Sequence, residues 1–558
     1  MKCCLKSIIL SLLLYIPVTA SSALERTSLL PADAQTYVRV SSTTNFWSRF
    51  KLSPLGRLWA DQQFQGFLGN PDAETWQDLF LEGESDAESE VLIEQLKMLK
   101  GEIILAFDIK MEDPYIIAAM SKDDFLRSLE MDAKLLDITE EPFEIIKSSF
   151  HDVEITQHIE NGGTPEEDSS WQAHVGTTFV MGYTREWVEK CIVQLKNEPV
   201  QEPEGDPDCS FSLPLSDIIR KFVEEEKKEL ADTSDPMNTE LLFEALGLMG
   251  VDNYTLNIKL METEMVADSI LRVSDLNRGL FTILDLQPSE LPTVDFIPET
   301  VASIEVGRFN LLRFWQEIPN VLATAMPAVK PQFDMIVAML QQQAGINLEQ
   351  DLLANIGTEY FSFSVAEDDK QISVIAVELK DSMAFKTGLE TALAAPALQP
   401  QVAAGLDIEE FLDHTIYSVK EVDPADAVAF AVAGDYLLYG EPDGVRQVIR
   451  SESSEAASTD SFERSPLIKG LRRHVPPRAF GFGAVDWKKH MAVVVRELND
   501  PEYFGLMLQK WAQSGSPFPP PDINKLPPAD HIASFFNVSY QYAEATDDGI
   551  HQKIILKY

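Results

Sequence analysis

The sequence predicts an α+β protein of two related halves from an internal duplication, each a largely antiparallel sheet with packed helices. Three observations carry this expectation. Blocks of residues recur in one order at a spacing of about 260 residues. Short alternating or wholly apolar runs of the strand type fall in pairs separated by stretches of helical period. The strict strand–helix–strand alternation and glycine-rich first turn of a doubly wound parallel sheet do not occur.

The N-terminus reads as a signal peptide over 1–23. Lys2 and Lys6 form a positive start, Ile8 to Ile16 an apolar core, and Pro17-Val18-Thr19-Ala20 or Ser21-Ser22-Ala23 a small-residue cleavage site, after Ala20 or Ala23. The apolar core is well short of the roughly 20 residues that a membrane-spanning helix needs. A lipid anchor would require a cysteine at the cleavage point, but Cys3 and Cys4 precede the apolar stretch.

The first repeat, 24–287, opens with Leu30-Pro31-Ala32-Asp33, the strand-like Thr36-Tyr37-Val38-Arg39-Val40 and then Phe46-Trp47. The second, 288–558, opens with Ile297-Pro298-Glu299-Thr300, Ser303-Ile304-Glu305-Val306 and Phe314-Trp315. Gly101 to Phe107 parallels Gly357 to Phe363, and Ile116 to Ala119 with Lys122-Asp123 parallels Val374 to Val377 with Lys380-Asp381. Val180-Met181-Gly182 before a helix parallels Leu438-Tyr439-Gly440 before another, and Phe211 to Asp217 parallels Phe482 to Asp486.

Strands are expected over 102–109, 115–120, 177–181, 360–365, 372–378 and 428–432. Helices are expected over 121–135, 185–195, 215–230, 239–246, 321–343, 382–394, 443–450 and 487–498, with Ser382 and Asp443 as capping residues. Composition shifts place linkers at 162–170, 197–208, 287–295 and 451–461, the main boundary lying near Pro288. After the prolines at 517–521, the stretch Ala533 to Phe536 reads as a strand that closes the second sheet, matching Tyr254 to Leu260 and Val266 to Arg272 in the first half.

With 45 basic against 90 acidic residues, the formal charge of −45 repels nucleic-acid phosphates and anionic membrane surfaces. At 45% hydrophobic and 24% charged, the chain is globular and long enough for two or more domains. In an exported chain Cys191 and Cys209 are the remaining cysteines, and their separation permits a disulfide as readily as two buried thiols.

Motifs of catalysis do not stand out. There is no Gly-x-Ser-x-Gly elbow for a nucleophilic serine and no His-Glu-x-x-His for zinc. His151 and His158 lie in a stretch that reads as strand and loop. The acidic stretches Glu204 to Asp208 and Asp423 to Asp426 lack the full ligand set of a calcium loop. Among 90 acidic residues, a carboxylate pair for acid–base work gives no recognisable signal. Trp47 and Trp315 occupy equivalent places in the two halves and are expected to pack the first helix of each on its sheet. The run from Met326-Pro327 through Phe333, Met335, Ile336 and Met339-Leu340 is apolar at helical spacing; an interior helix is expected, a face for a lipid or peptide being the other reading.

The signal peptide, Leu30-Pro31-Ala32-Asp33, Phe46-Trp47 with Ser53-Pro54-Leu55-Gly56-Arg57-Leu58, and Phe296-Ile297-Pro298-Glu299-Thr300 together resemble a family of exported bacterial proteins known as a domain of unknown function. That resemblance implies the duplicated architecture and brings no active site. The sequence reading is therefore of an exported protein, periplasmic or extracellular, that is a non-catalytic binding or envelope-associated module. It uses no cofactor and no metal, does not bind nucleic acid and is not integral to the membrane; its partner is a cell-envelope protein or a small ligand. Two other readings are a hydrolase with a carboxylate site between the halves, and a subunit of an envelope assembly that pairs through sheet edges at Ala533 to Val538 or Ile554 to Tyr558. N-terminal sequencing of the exported protein should return Ser21 or Leu24 as the first residue; a chain still starting at Met1 would overturn the signal peptide.

Overall fold

The computed structural model describes residues 25–31, 34, 36–68, 98–108, 114–136, 144–159, 169–198, 200, 207–230, 239–290, 296–297, 300–367, 370–420, 427–453, 464–513 and 520–558. The expected signal peptide with Cys3, Cys4, Ala20 and Ala23, the acidic stretches 204–206 and 423–426, and most of the expected linkers lie outside the described residues. The fold is α+β, and every registered strand pair is antiparallel. The chain divides into two compact units, one within Met1–Asn45 and Glu84–Cys209, the other within Phe46–Gly83 and Ser210–Tyr558.

Strand β1 (Thr36–Val40) leads into helices α1 (Thr43–Leu52), α2 (Pro54–Trp59) and α3 (Gln62–Phe67). Then come β2 (Ile103–Phe107), β3 (Pro114–Ala119), α4 (Lys122–Leu136), β4 (Glu144–Phe150), β5 (Val153–Ile159), β6 (Ser169–Val175), β7 (Thr178–Gly182) and α5 (Arg185–Asn197). In the first unit the strands run β1–β2–β3–β7–β6–β5–β4. Their period-two alternation puts Ile104, Ala106, Ile117, Ile155, Ala173 and Val180 on one face, where Trp187, Val188, Cys191 and Ile192 of α5 cover them. The Trp187 indole N–H donates to the Leu29 carbonyl at 2.8 Å and so holds the 3-10 turn Arg26–Leu29 over this core.

That turn brings Arg26 inside. Its guanidinium is fully buried, 2.9 Å from Glu102 Oε2, while Nε donates to Thr178 Oγ1 at 3.1 Å. Arg39 of β1 takes the other Glu102 oxygen at 2.6 Å. Both carboxylate oxygens are thus matched by a cation, the condition for holding ions out of water at tolerable cost.

The second unit contains α6 (Leu215–Leu230), which follows β8 (Cys209–Leu213), and α7 (Thr239–Ala245), β9 (Val251–Leu260), β10 (Glu264–Val273) and β11 (Val301–Arg308). Next are α8 (Leu311–Ala325), α9 (Lys330–Ala344), β12 (Ile356–Glu367), β13 (Lys370–Leu379), α10 (Ser382–Ala394), α11 (Gln399–Gly405), β14 (Leu406–Phe411), β15 (His414–Val419), β16 (Ala429–Ala433) and β17 (Tyr436–Gly440). The chain ends with α12 (Pro442–Ser453), α13 (Pro466–His474), β18 (Gly481–Asp486), α14 (Trp487–Asn499), α15 (Pro501–Gln513), α16 (Ala529–Ala533), β19 (Val538–Thr546) and β20 (Gly549–Lys557). Strands run β9–β10–β20–β19–β18–β11–β12–β13–β17–β16–β15–β14.

Within that sheet, the run β11–β12–β13–β17–β16–β15–β14 has the connectivity of β1 to β7 in the first unit. Val445, Val448 and Ile449 of α12 cover Ile304, Phe361, Val374, Ile416 and Leu438 as α5 covers its own sheet. The hairpins agree in detail. Both β4–β5 and β14–β15 turn on two residues with positive φ, His151-Asp152 (49° and 59°) and Leu412-Asp413 (48° and 64°). Those are the left-handed values that match the twist of a two-residue hairpin, here adopted without glycine. Arg308 at the end of β11 also repeats the role of Arg39: it meets Glu359 of β12 at 2.5 Å and Asp285 at 2.9 Å. Burial raises the Asp285 carboxyl, but hydrogen bonds from Arg308 and Thr358 outweigh it and hold the group below its usual range. Glu359 is raised, because burial with the nearby Glu378 and Glu290 outweighs the same guanidinium.

Several expectations change. Compactness divides the chain at 45/46, 83/84 and 209/210, and β10, before the expected boundary near Pro288, pairs in register with β20, after it, from Glu264↔Lys557 to Arg272↔Gly549. Ala533 to Phe536 is the end of α16 and a turn, not a strand. Ile554 to Lys557 is no sheet edge, since β20 has β10 on one side and β19 on the other; β19 is likewise flanked by β18. Edge pairing through these segments is excluded by their own ladders. The cap of α10 is Asp381, whose carboxylate accepts from Ala384 N–H at 2.8 Å, one residue before the expected Ser382. The expected helix 321–343 is two, α8 and α9, because Pro327 disfavours a helical Met326 and cannot donate to the turn before it.

Glu102→Gln should lower the urea stability of the first unit by about 3–5 kcal/mol, since it removes the buried carboxylate that Arg26 and Arg39 share. Lys147→Met, which removes an ion pair exposed at both ends, should change it by less than about 1 kcal/mol. Equal effects would remove the distinction drawn between the two pairs.

Candidate binding surface

Helices α8, α9 and α10 of the second unit present the apolar surface on which a function can be argued. Each begins with local chemistry that fits a helix start. Asn310 accepts from Arg313 N–H at 2.9 Å, Pro331 occupies the first turn of α9, and Asp381 caps α10. Gly345, at φ 70°, ends α9 in the left-handed conformation that glycine adopts without strain.

Helix α10 buries Phe385 and Gly388 against Ile356, Leu379, Leu352 and Leu353. A Cβ on Gly388 would lie 2.7 Å from the Asp351 carbonyl, so glycine permits this close approach. Helix α8 sends Leu311 to the same cluster and packs on α7. Helix α9 has no buried residue. It rests on α8 and α10, with the Phe333 ring 5.9 Å from Trp315. Met335, Ile336, Met339 and Leu340 of α9 and Met383 of α10 stand between 48% and 75% exposed. The positions 329, 333, 336 and 340 form one helical stripe and 335 and 339 widen it, so this is a contiguous apolar face of the helix turned to solvent.

Charge is almost withdrawn from this region. Residues 311–345 carry Arg313, Glu317, Lys330 and Asp334 and sum to zero; 382–405 carry Lys386 and Glu390 and also sum to zero. Lys330 and Asp334 pair within their helix at 2.5 Å, and Lys386 and Glu390 at 3.8 Å. The rest of the chain therefore holds the whole formal charge of −45. The exposed stripe itself is methionine, isoleucine and leucine, side chains without an acid–base group. What it offers is area: covering one Met, Ile or Leu side chain is worth about 1.5–3 kcal/mol.

The sequence placed this stretch inside the protein, and the structure places it outside. An interior and an exposed apolar helix share the same period, so periodicity could not separate them. The signal that could have done so is the lack of charge through the connecting loop as well, from Ile318 to Val329. Trp47 is half-buried and meets Phe46 and Phe50 of its own helix at 5.1 and 5.6 Å, while Trp315 is half-buried against Phe333. Cys191 and Cys209 are free thiols. Cys191 sits in the first core, where burial pushes its thiol up to about 12; Cys209 in β8 is raised by burial and by Asp208. His151 forms an exposed hairpin turn and His158 lies on β5 beside Gln172. Among the described residues no cluster of three or more His, Cys, Asp or Glu is placed to hold a metal ion, and no helix is long and apolar enough to cross a membrane.

No family model and no curated protein matches the chain. Solved structures of TP0453 are similar at low identity. Crystal form III is 8% identical with a TM-score of 0.25, covering 49% of this chain and 91% of that one. Crystal form IV is 9% identical with a TM-score of 0.24, covering 45% and 83%.

Met335→Ser should leave the thermal stability unchanged to within about 0.5 kcal/mol, because this side chain is 65% exposed on the outer face of its helix. Phe385→Ala, in the adjoining core, should cost about 3–5 kcal/mol. A large loss at Met335 in a calorimetric scan would mean that the face is covered in solution.

Proposed function

We propose that this chain is an exported, non-catalytic binding module that engages an apolar partner through the α8–α9–α10 face. The observation that carries the reading is the exposure of Met335, Ile336, Met339, Leu340 and Met383 side by side in an otherwise acidic chain. Soluble proteins rarely leave a contiguous apolar patch uncovered without a use for it. Methionine suits such a use, since its unbranched, polarizable side chain adapts to partners of varied shape. Export is supported by Lys2, Lys6, the apolar run from Ile8 to Ile16 and the small residues that follow. We further propose that the halves arose by internal duplication, supported by the shared strand order and the paired Phe-x-Asp hairpin turns at 150–152 and 411–413.

A neutral apolar dye, Nile red, tests the reading. Its emission should rise saturably with the mature protein, and the pair Ile336→Asp with Leu340→Asp should weaken binding at least about tenfold, as expected for burying a carboxylate where an aliphatic side chain had contributed. Equal dye binding by the variant would place the apolar site elsewhere and sink the proposal.

A further inference from the structure

We infer that the partner of the α8–α9–α10 face is the acyl region of a membrane leaflet with zwitterionic headgroups, into which the face inserts without spanning. This rests on the binding reading above and names its ligand.

The connections between the helices carry the argument beyond an apolar helix face. Loops that meet water are ordinarily polar, with the turn chemistry of Asn, Asp, Ser and Gly. Here α8 joins α9 through Met326-Pro327-Ala328-Val329, and α10 joins α11 through Ala395-Pro396-Ala397-Leu398. Pro327, Ala328 and Val329 are exposed, as are Pro396 and Ala397. Both tips lack any charged residue, and charge stays absent from 318 to 329 and from 391 to 405. A partner that covers helix face and loop tips together, and asks for no polar contact from either, is a hydrocarbon phase rather than a shaped protein groove with its own polar rim.

Length decides how the helices would lie. At 15 residues each, α8 and α9 span about 22 Å, short of the roughly 30 Å hydrocarbon core. They fit in the interface plane with Trp315 and Phe333 at the seam between them. Charge selects the leaflet. Interfacial helices that seek anionic lipid carry Lys and Arg on the polar face. This pair carries Arg313 and Lys330, balanced by Glu317 and Asp334. With −45 on the whole chain, an anionic surface repels the protein, and so does a second copy; a zwitterionic surface does neither.

Vesicle flotation of the mature protein tests this with vesicles of pure phosphatidylcholine and of phosphatidylcholine mixed with phosphatidylglycerol. The protein should float with the first, to the same extent at about 0.1 and about 1 M salt, and at least several-fold less with the second at low salt. Ile336→Asp with Leu340→Asp should lower flotation about tenfold or more, with a melting temperature equal to the parent's showing that the variant is folded. A second variant, Ala328→Asp at the exposed loop tip, should weaken flotation by itself, which binding by the helix face alone would not require. If the parent fails to float on phosphatidylcholine but still binds Nile red through Ile336 and Leu340, the membrane inference falls and the binding reading stands. If neither occurs, both fall. Sedimentation equilibrium adds the last arm: a dimer abolished by the same substitutions would assign the face to a second copy and overturn the leaflet.

Discussion

The second unit depends on one strand being in the middle of its sheet. β20, the last strand of the chain, pairs over nine residues with β10 and over nine with β19. Cross-strand Lys553–Asp268 and Lys557–Glu264 pairs lie along the first ladder, and the Tyr558 hydroxyl closes its end by donating to the Glu264 carbonyl at 3.1 Å. Register in a sheet with one buried face is strongly set, because a slip of one residue would turn Ile555, buried in the native register, to the opposite face of the sheet. The ladder brings β9 and β10 into the same unit as β11 to β19, although the nearest composition break in the sequence lies after them. It also leaves the β9–β10 hairpin without its outer partner until about 280 further residues have been made, ~14–55 s at ordinary rates of synthesis.

Much of the fold was legible because strands and helices answer to local rules. The runs at 115–120, 372–378 and 428–432 were read within a residue or two, since β-branched and aromatic residues between turns have few alternatives. The helix over 382–394 was read to the residue, and only its cap was displaced, because Asp381 and Ser382 are both good capping types. What escaped was non-local. No local pattern says that β20 will lie beside β10, or that Arg26, in a four-residue turn, will be drawn fully inside to meet Glu102, 76 positions away. The apolar face escaped for a related reason: whether a hydrophobic stripe is buried depends on what the rest of the chain places over it. For α9 the neighbours are α8 and α10 on its flanks, and its outer stripe is left uncovered.

The strand connectivity recurs, whereas the helices that follow β1 and β11 do not. Both sheets use the same strand order, the same helix over the core after β7 and β17, and hairpin turns of the same hand. The helical segments after β1 and β11 differ. After β1 come the short helices α1 to α3, with Ser53 and Asp61 capping α2 and α3. After β11 the longer α8 and α9 take that place and carry no net charge. Sheets under a common packing rule tolerate little change, because every inward residue touches several others. Helices attached outside the core are less constrained, and it is there that the surroundings of the two sheets differ.

An apolar surface on a protein at high concentration is ordinarily an aggregation risk. Here the remaining surface acts as a dispersant: copies that approach face to face bring together two bodies of formal charge −45. That protection is colloidal rather than structural, and it belongs to the pH of the surroundings. Toward the isoelectric point of about 4.4 the repulsion vanishes while the methionine and leucine stripe is unchanged. Acid therefore removes the repulsion between copies while leaving untouched the surface through which they could adhere.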